Sequence, residues 1–130
     1  MRDIAGKPSI RLAVGGLALL MLSACMDKAS APRTLAGADP AEGLRLIERH
    51  GCAACHKIPG VAWPGGRTGG SLAGVGARPM LAGRLPNQPQ VMAIFVRDAS
   101  SLAPDTGMPP MPLTETEARD VAAYLYTLDD

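Results

Sequence analysis

Cys52-Ala53-Ala54-Cys55-His56 constrains this 130-residue chain more than any other stretch. Two thiols three positions apart, followed at once by an imidazole, have the spacing that attaches a c-type haem. Each residue type has its own task. Each thiol adds to one vinyl group of the macrocycle to make a thioether, and the imidazole that follows becomes the proximal iron ligand. A zinc site would need a second ligand pair, and a thioredoxin-like motif would need a βαβ setting. The remaining His50 and Cys25 supply neither.

The length allows one small domain with appendages. Aromatic residues make up 3% of the chain (Trp63, Phe95, Tyr124 and Tyr126), which is thin for a core built from side chains alone. A haem supplies the missing apolar mass. The formal net charge is +1, and no run of Lys or Arg stands outside the first residues. Nucleic-acid binding therefore has no electrostatic footprint.

Residues 1–24 read as a signal peptide. Arg2, Lys7 and Arg11 form a positive start, and Leu12 to Leu22 is an apolar stretch too short to span a bilayer. Leu22-Ser23-Ala24-Cys25 resembles a bacterial lipobox, which implies cleavage before Cys25 and a diacylglycerol on its thiol. Further acylation of the new amine would supply the multiple chains that stable anchoring requires. Cleavage after Ala29-Ser30-Ala31, or a spare Cys25 thiol, are the competing readings. The lipoprotein reading expects an exported protein on the periplasmic side, anchored to the membrane through Cys25; ordinary cleavage expects a soluble periplasmic one. Removing residues 1–24 takes the formal charge from +1 to −1, a balance that names no partner.

Residues 25–38 read as the lipidated Cys and a tether, because Met26 to Ala38 is rich in Ala, Ser and Pro without an apolar period. The domain is expected over 39–130. Asp39-Pro40-Ala41-Glu42 is a helix start, with Leu44, Ile47, Ala41 and Gly43 on the apolar side and an end near Gly51. Residues 59–90 are dense in Gly and Pro, a length of loop acceptable only where a cofactor offers a surface to wrap. Asn87-Gln88-Pro89-Gln90 resembles a capped start for a short helix through Val91, Ile94 and Phe95 to about Asp98. Thr114-Glu115-Thr116-Glu117 is a capping box, followed by Ala118, Val121, Ala122, Leu125 and Leu128 on one face. No convincing strand stands out.

A c-type haem with a sixth protein ligand moves electrons; without one it binds small molecules. The candidates are Met80, Met92, Met108 and Met111, with His50 as an outsider. His50 feeds the proximal side and reads as solvent-facing. Met92 shares helical spacing with Phe95 and reads as core filler, and Met80 has no strong argument. Met108 and Met111 lie in Gly107-Met108-Pro109-Pro110-Met111-Pro112, which proline stiffens enough to hold a weak thioether ligand.

Here the chain resembles the class I cytochromes c. They carry C-x-x-C-H early in the domain, a wrapping loop, and a Met-Pro segment before a terminal helix with an aromatic-Leu pair. The corresponding residues here are Cys52 to His56, Met108-Pro109-Pro110, and Tyr124-Leu125. The resemblance implies an all-α fold of three to four helices and a long Gly/Pro-rich loop around one haem c. It implies thioethers through Cys52 and Cys55, with His56 and Met108 on the iron. Met111, also followed by Pro but nearer Tyr124, is the runner-up. Gly43 and Tyr124 match the family's crossing of first and last helices, or are ordinary helix residues. The stretch Arg78 to Asn87 is similar to the cytochrome c domain fused to subunit II of haem-copper oxidases, where an Arg corresponding to Arg78 holds a haem propionate; a solvated Arg78 is the other reading.

Two positions depart from the pattern. The family usually has Gly-Pro-x-Leu, whose Pro carbonyl accepts from the proximal imidazole. This chain has Gly69-Gly70-Ser71-Leu72. Phe95 stands where such domains often have Trp. The function expected is a one-electron carrier between respiratory-chain proteins at the membrane surface, with a terminal oxidase as the acceptor in the subunit II analogy. A five-coordinate haem enzyme or gas sensor, and a fixed haem subunit of a larger complex, are the alternatives.

Overall fold

The computed structural model describes residues 33–130. The expected signal peptide, Cys25 and the first part of the tether lie outside the described residues. Helix α1 (Pro40–Arg49) starts where Asp39 Oδ1 accepts from the amides of Ala41 at 2.8 Å and Glu42 at 3.3 Å. Pro40 opens it with a preset φ, and Arg49 sits at its negative end. It buries Gly43, Leu46 and Ile47, spaced at three and four. Leu46 therefore takes the place expected of Leu44, which is only half-buried.

After the haem-motif segment come two pairs of two-residue strands. Strand β1 (His56–Lys57) pairs in parallel with β2 (Gly70–Ser71), and β3 (Met80–Leu81) pairs antiparallel with β4 (Leu85–Pro86). Helix α2 (Pro89–Arg97) is followed by the single turn α3 (Ala99–Leu102), which sequence pattern did not announce, and by α4 (Glu115–Tyr126). The architecture is the small all-α one expected, with strands too short to form a layer.

Helix α4 shows the expected capping box in full. Thr114 Oγ1 accepts from the Glu117 amide at 3.2 Å, and Glu117 Oε2 accepts from the Thr114 amide at 2.8 Å. Ala118, Val121, Ala122, Leu125 and Leu128 are all buried. Helix α1 crosses α4 at Gly43, where a Cβ would fall on the Asp120 carbonyl and lie 3.1 Å from Tyr124 Cβ. The crossing role of Gly43 and Tyr124 is thus real. Buried Asp120 adds a fastening, its Oδ1 accepting from the Asp39 amide at 2.8 Å.

Helix α2 turns a different side to the core from the one expected. Met92, Ala93 and Val96 are buried, while Ile94 is exposed and Val91 and Phe95 are half-buried. The run Val91 to Val96 is apolar on every side, so periodicity alone could not choose a face. Met92 is core filler, as expected, at 2% exposure. Asn87 is not a cap. It is buried, donates to the carbonyls of Val75 and Arg78 (both 2.8 Å), and accepts from the Tyr126 hydroxyl at 2.7 Å. Trp63 is 83% exposed and contributes nothing to the core.

Residues 33–38, expected as the end of a tether, pack on the domain instead. Leu35 is buried in the core, Arg33 donates to the carbonyls of Gly76 (2.7 Å) and Arg78 (3.0 Å), and Arg119 donates to the Ala36 carbonyl at 2.7 Å. One apolar side chain in a small-residue stretch suffices to dock it, and such a stretch shows no period. The domain therefore begins by Arg33.

Candidate haem-attachment site

The two motif cysteines share one tight turn. Gly51, at φ +67, reverses the chain out of α1, and Cys52–Ala54 forms a single 3₁₀ turn closed by the Cys55 amide donating to the Cys52 carbonyl at 3.2 Å. Residues three apart eclipse in such a turn, so the two-residue spacer puts both thiols on one side. Ala53 between them is buried and Ala54 exposed. Both cysteines are free, Cys52 half-buried and Cys55 exposed. Burial pushes the Cys52 thiol above its ordinary range; the backbone hydrogen bond pulls the other way, and Cys55 adds slightly to the rise.

A glycine-rich belt runs alongside the motif. The Gly66 amide donates to the Ala53 carbonyl (2.7 Å), Gly69 to Cys55 (2.8 Å) and Leu72 to Lys57 (2.9 Å), with His56 opposite Gly70 in the parallel register. Two of these glycines are there because nothing larger fits. A Cβ on Gly66 would meet the Ala54 carbonyl and the Cys55 backbone, and a Cβ on Gly69 would land on the His56 ring. Farther along, the Tyr124 hydroxyl on α4 donates to the Pro59 carbonyl at 2.8 Å, holding the start of the loop.

His56 Nδ1 lies 3.2 Å from the Gly70 carbonyl. Only a protonated Nδ1 makes that contact a hydrogen bond, so Nε2 carries the free lone pair. The missing Pro ring in Gly69-Gly70 has not cost the chain this bond. The backbone pairing of β1 with β2 supplies the acceptor instead.

The remaining candidates are placed as follows. Arg78 is exposed, and its Nη2 donates to the carbonyls of Ser71 (2.9 Å) and Ala73 (2.8 Å). Met108 and Met111 are both half-buried in the irregular segment before α4. The Met108 amide donates to Thr106 Oγ1 at 3.2 Å, and the Met111 amide donates to the Arg97 carbonyl at the end of α2 at 2.8 Å. Met80 is exposed on β3, and half-buried His50 caps α1, its amide donating to the Leu46 carbonyl. Sequence reasoning missed the parts of Gly66, Gly69 and Asn87. The glycine density of 59–90 signalled a wrapped loop but not which positions touch the motif.

The donor set fits haem c on geometric grounds: two free thiols on one side of a turn, and an adjacent imidazole with one nitrogen committed and the other available. A helical domain built round this turn is a c-type haem protein. The chain belongs to the cytochrome c family, whose model, described as Cytochrome c, matches residues 40–129. It is also similar to cytochrome c oxidase subunit 2 of Alkalihalophilus pseudofirmus, at 30% identity over 88 residues. That match covers 67% of this chain and 25% of the relative, so the chain spans about a quarter of the longer protein's length. The family is one of haem-based electron-transfer proteins.

Proposed function

We propose that this chain is a single-haem electron carrier of a respiratory chain, with haem c held through Cys52 and Cys55. His56 is its proximal ligand and Met108 its distal one, with Met111 as the runner-up. The observation that carries the reading is the 3.2 Å contact between His56 Nδ1 and the Gly70 carbonyl, which leaves Nε2 with the free lone pair in the residue that follows Cys55. When bound, the haem supplies a one-electron Fe(III)/Fe(II) couple. Gly70 fixes the tautomer and ring orientation of His56, as outer partners of metal-bound imidazoles do. Gly69 lets the belt lie flat on the ring, so the imidazole keeps one orientation in both oxidation states. The proline-stiffened segment from Gly107 to Pro112 limits how far a thioether ligand can drift.

An optical spectrum of the purified ferric protein tests this reading. A red charge-transfer band from methionine sulfur on iron is expected, lost in Met108→Ala and kept in Met111→Ala. The reverse pattern moves the ligand to Met111. High-spin features with ready carbon monoxide binding to the ferrous form would instead support the five-coordinate haem enzyme or gas sensor. A second reading, a fixed haem subunit of an oxidase complex, is favoured by the similarity to an oxidase subunit 2; co-purification from solubilised membranes with a copper-containing partner distinguishes it. We also propose the acyl anchor on Cys25 and a periplasmic membrane surface as the site of action. Cys25→Ser should then shift the protein from the membrane to the soluble fraction or block its maturation.

A further inference from the structure

We infer that Arg78 is a positioning residue for the proximal ligand: its guanidinium clamps the turn that aims the Gly70 carbonyl at His56. The inference rests on the haem reading above and goes beyond it. Gly70 sits at φ +77, and open space surrounds the place its Cβ would take. No side chain or ring therefore wedges this residue, and a proline, restricted to φ near −65°, could not adopt its conformation at all. The carbonyl that fixes the imidazole belongs to one of the freest residues in the chain.

Its position is fixed from both sides. Upstream, the amide of Gly69 is bound to Cys55 (2.8 Å) and that of Gly70 to Arg67 (3.2 Å). Downstream, both hydrogens of Arg78 Nη2 are spent on the carbonyls of Ser71 and Ala73. A two-residue strand pair has little stability of its own, so the downstream clamp decides how tightly Gly70 is held. The clamp is anchored in turn. The Arg78 carbonyl accepts from Arg33 and from buried Asn87, and Asn87 accepts from Tyr126 on α4. Hydrogen bonds, joined through Arg78 and the Gly70–Ser71 backbone, thus link the terminal helix to the proximal imidazole.

The propionate role implied by the family resemblance and the positioning role predict opposite signs. Loss of a cation beside a propionate favours Fe(III) and lowers the midpoint potential. Loss of the clamp weakens the hydrogen bond on Nδ1, makes the imidazole a poorer donor and raises the potential.

The test uses the haem-loaded protein, with haem content confirmed by its pyridine haemochrome spectrum. In Arg78→Ala the His56 Nδ1 proton, followed by NMR in the ferrous state, should exchange about fivefold faster or more, as expected for loss of an ordinary hydrogen bond. The midpoint potential should rise. Arg78→Lys keeps the charge but not the fork that spans two carbonyls, and should move both readouts in the same direction. Gly70→Ala leaves Arg78 intact and strains only the backbone at a left-handed residue. It should reproduce the same pair of changes, while Arg78→Lys decides the part played by Arg78 if Arg78→Ala matures poorly. A fall in potential in Arg78→Ala, or an unchanged exchange rate, overturns the inference. Absence of haem from the unsubstituted protein would overturn the haem reading instead.

Discussion

The two segments proposed to flank the haem are built by different means. The proximal side, residues 51–78, is tied by backbone bonds, Gly66 to Ala53, Gly69 to Cys55 and Leu72 to Lys57, and by the His56 ring on the Gly70 carbonyl. Side chains from outside the segment, Asn87 and Arg33, and Arg78 at its end, bind its carbonyls. The distal segment, 103–113, has no regular structure and is tied by Thr106 to Ala103, Met108 to Thr106, Met111 to Arg97 and Leu113 to Met111, with one exposed ion pair from outside, Arg84 to Asp105 at 2.9 Å. Its order comes from Pro109, Pro110 and Pro112, which restrict φ without forming a bond. The contrast suits the two ligands. An imidazole tuned through its second nitrogen needs a fixed acceptor, whereas a thioether has no second partner to satisfy and needs only a limited range.

The same substitution at one glycine on each side puts this contrast to its strongest test. Gly69→Ala places a methyl on the imidazole ring. It should cost about 1–3 kcal/mol as an overpacked site and reduce haem loading, read by denaturant unfolding and by haemochrome yield. Gly107→Ala, where nothing lies within 4 Å and φ is ordinary, should stay within about 0.5 kcal/mol. Equal effects at the two positions would end the comparison.

Next in size is Tyr126→Phe, which leaves buried Asn87 Oδ1 without its donor and should cost about 1–2 kcal/mol. It also has a pH signature. Burial pushes the Tyr126 hydroxyl up to about 12, the nearby Arg33 opposing it weakly. The unfolded chain gives up that proton near pH 10, so the contribution is complete below about 10 and disappears as pH rises toward 12. Helix content followed by circular dichroism should fall more steeply over that window in the native protein than in Tyr126→Phe. Thr114→Ala, on the distal side, should cost about 1 kcal/mol of stability, typical of a lost helix cap. The Glu117 carboxyl is held below its ordinary range by the Thr114 amide and then by its hydroxyl. Its contribution is present above the ordinary Glu range and is lost as pH falls through the lowered value, a dependence Glu117→Gln should remove. The mildest effect concerns the haem-free protein. Exposed Cys55 should be alkylated faster than half-buried Cys52, whose thiol burial pushes up; mass spectrometry of partly labelled protein checks the order.

How much of this was legible in the sequence follows the same division. The motif and the last helix were readable because their signals are local: five contiguous residues in one case, a capping box with a clean apolar period in the other. The glycine at the helix crossing was readable only through family resemblance, since its partner Asp120 lies far along the chain. Helix α2 misled because six apolar residues in a row carry no phase. Leu35 and Asn87 were missed because their roles are set by carbonyls and apolar surface contributed from distant segments. The bond from His56 to Gly70 was not legible either, since the absence of a proline ring says nothing about a backbone pairing made elsewhere.

The crossing at Gly43 has a consequence for the order in which the molecule is made. Helix α1 packs chiefly on α4, and the Gly76 amide is bound by the Leu128 carbonyl. Such closure joins distant parts of the domain and carries the loop-closure cost of long-range contacts. The turn bearing Cys52, Cys55 and His56 follows α1 directly, so it is present in the growing chain well before the domain can shut. The two thiols therefore stand in the chain ahead of the element that completes the crossing.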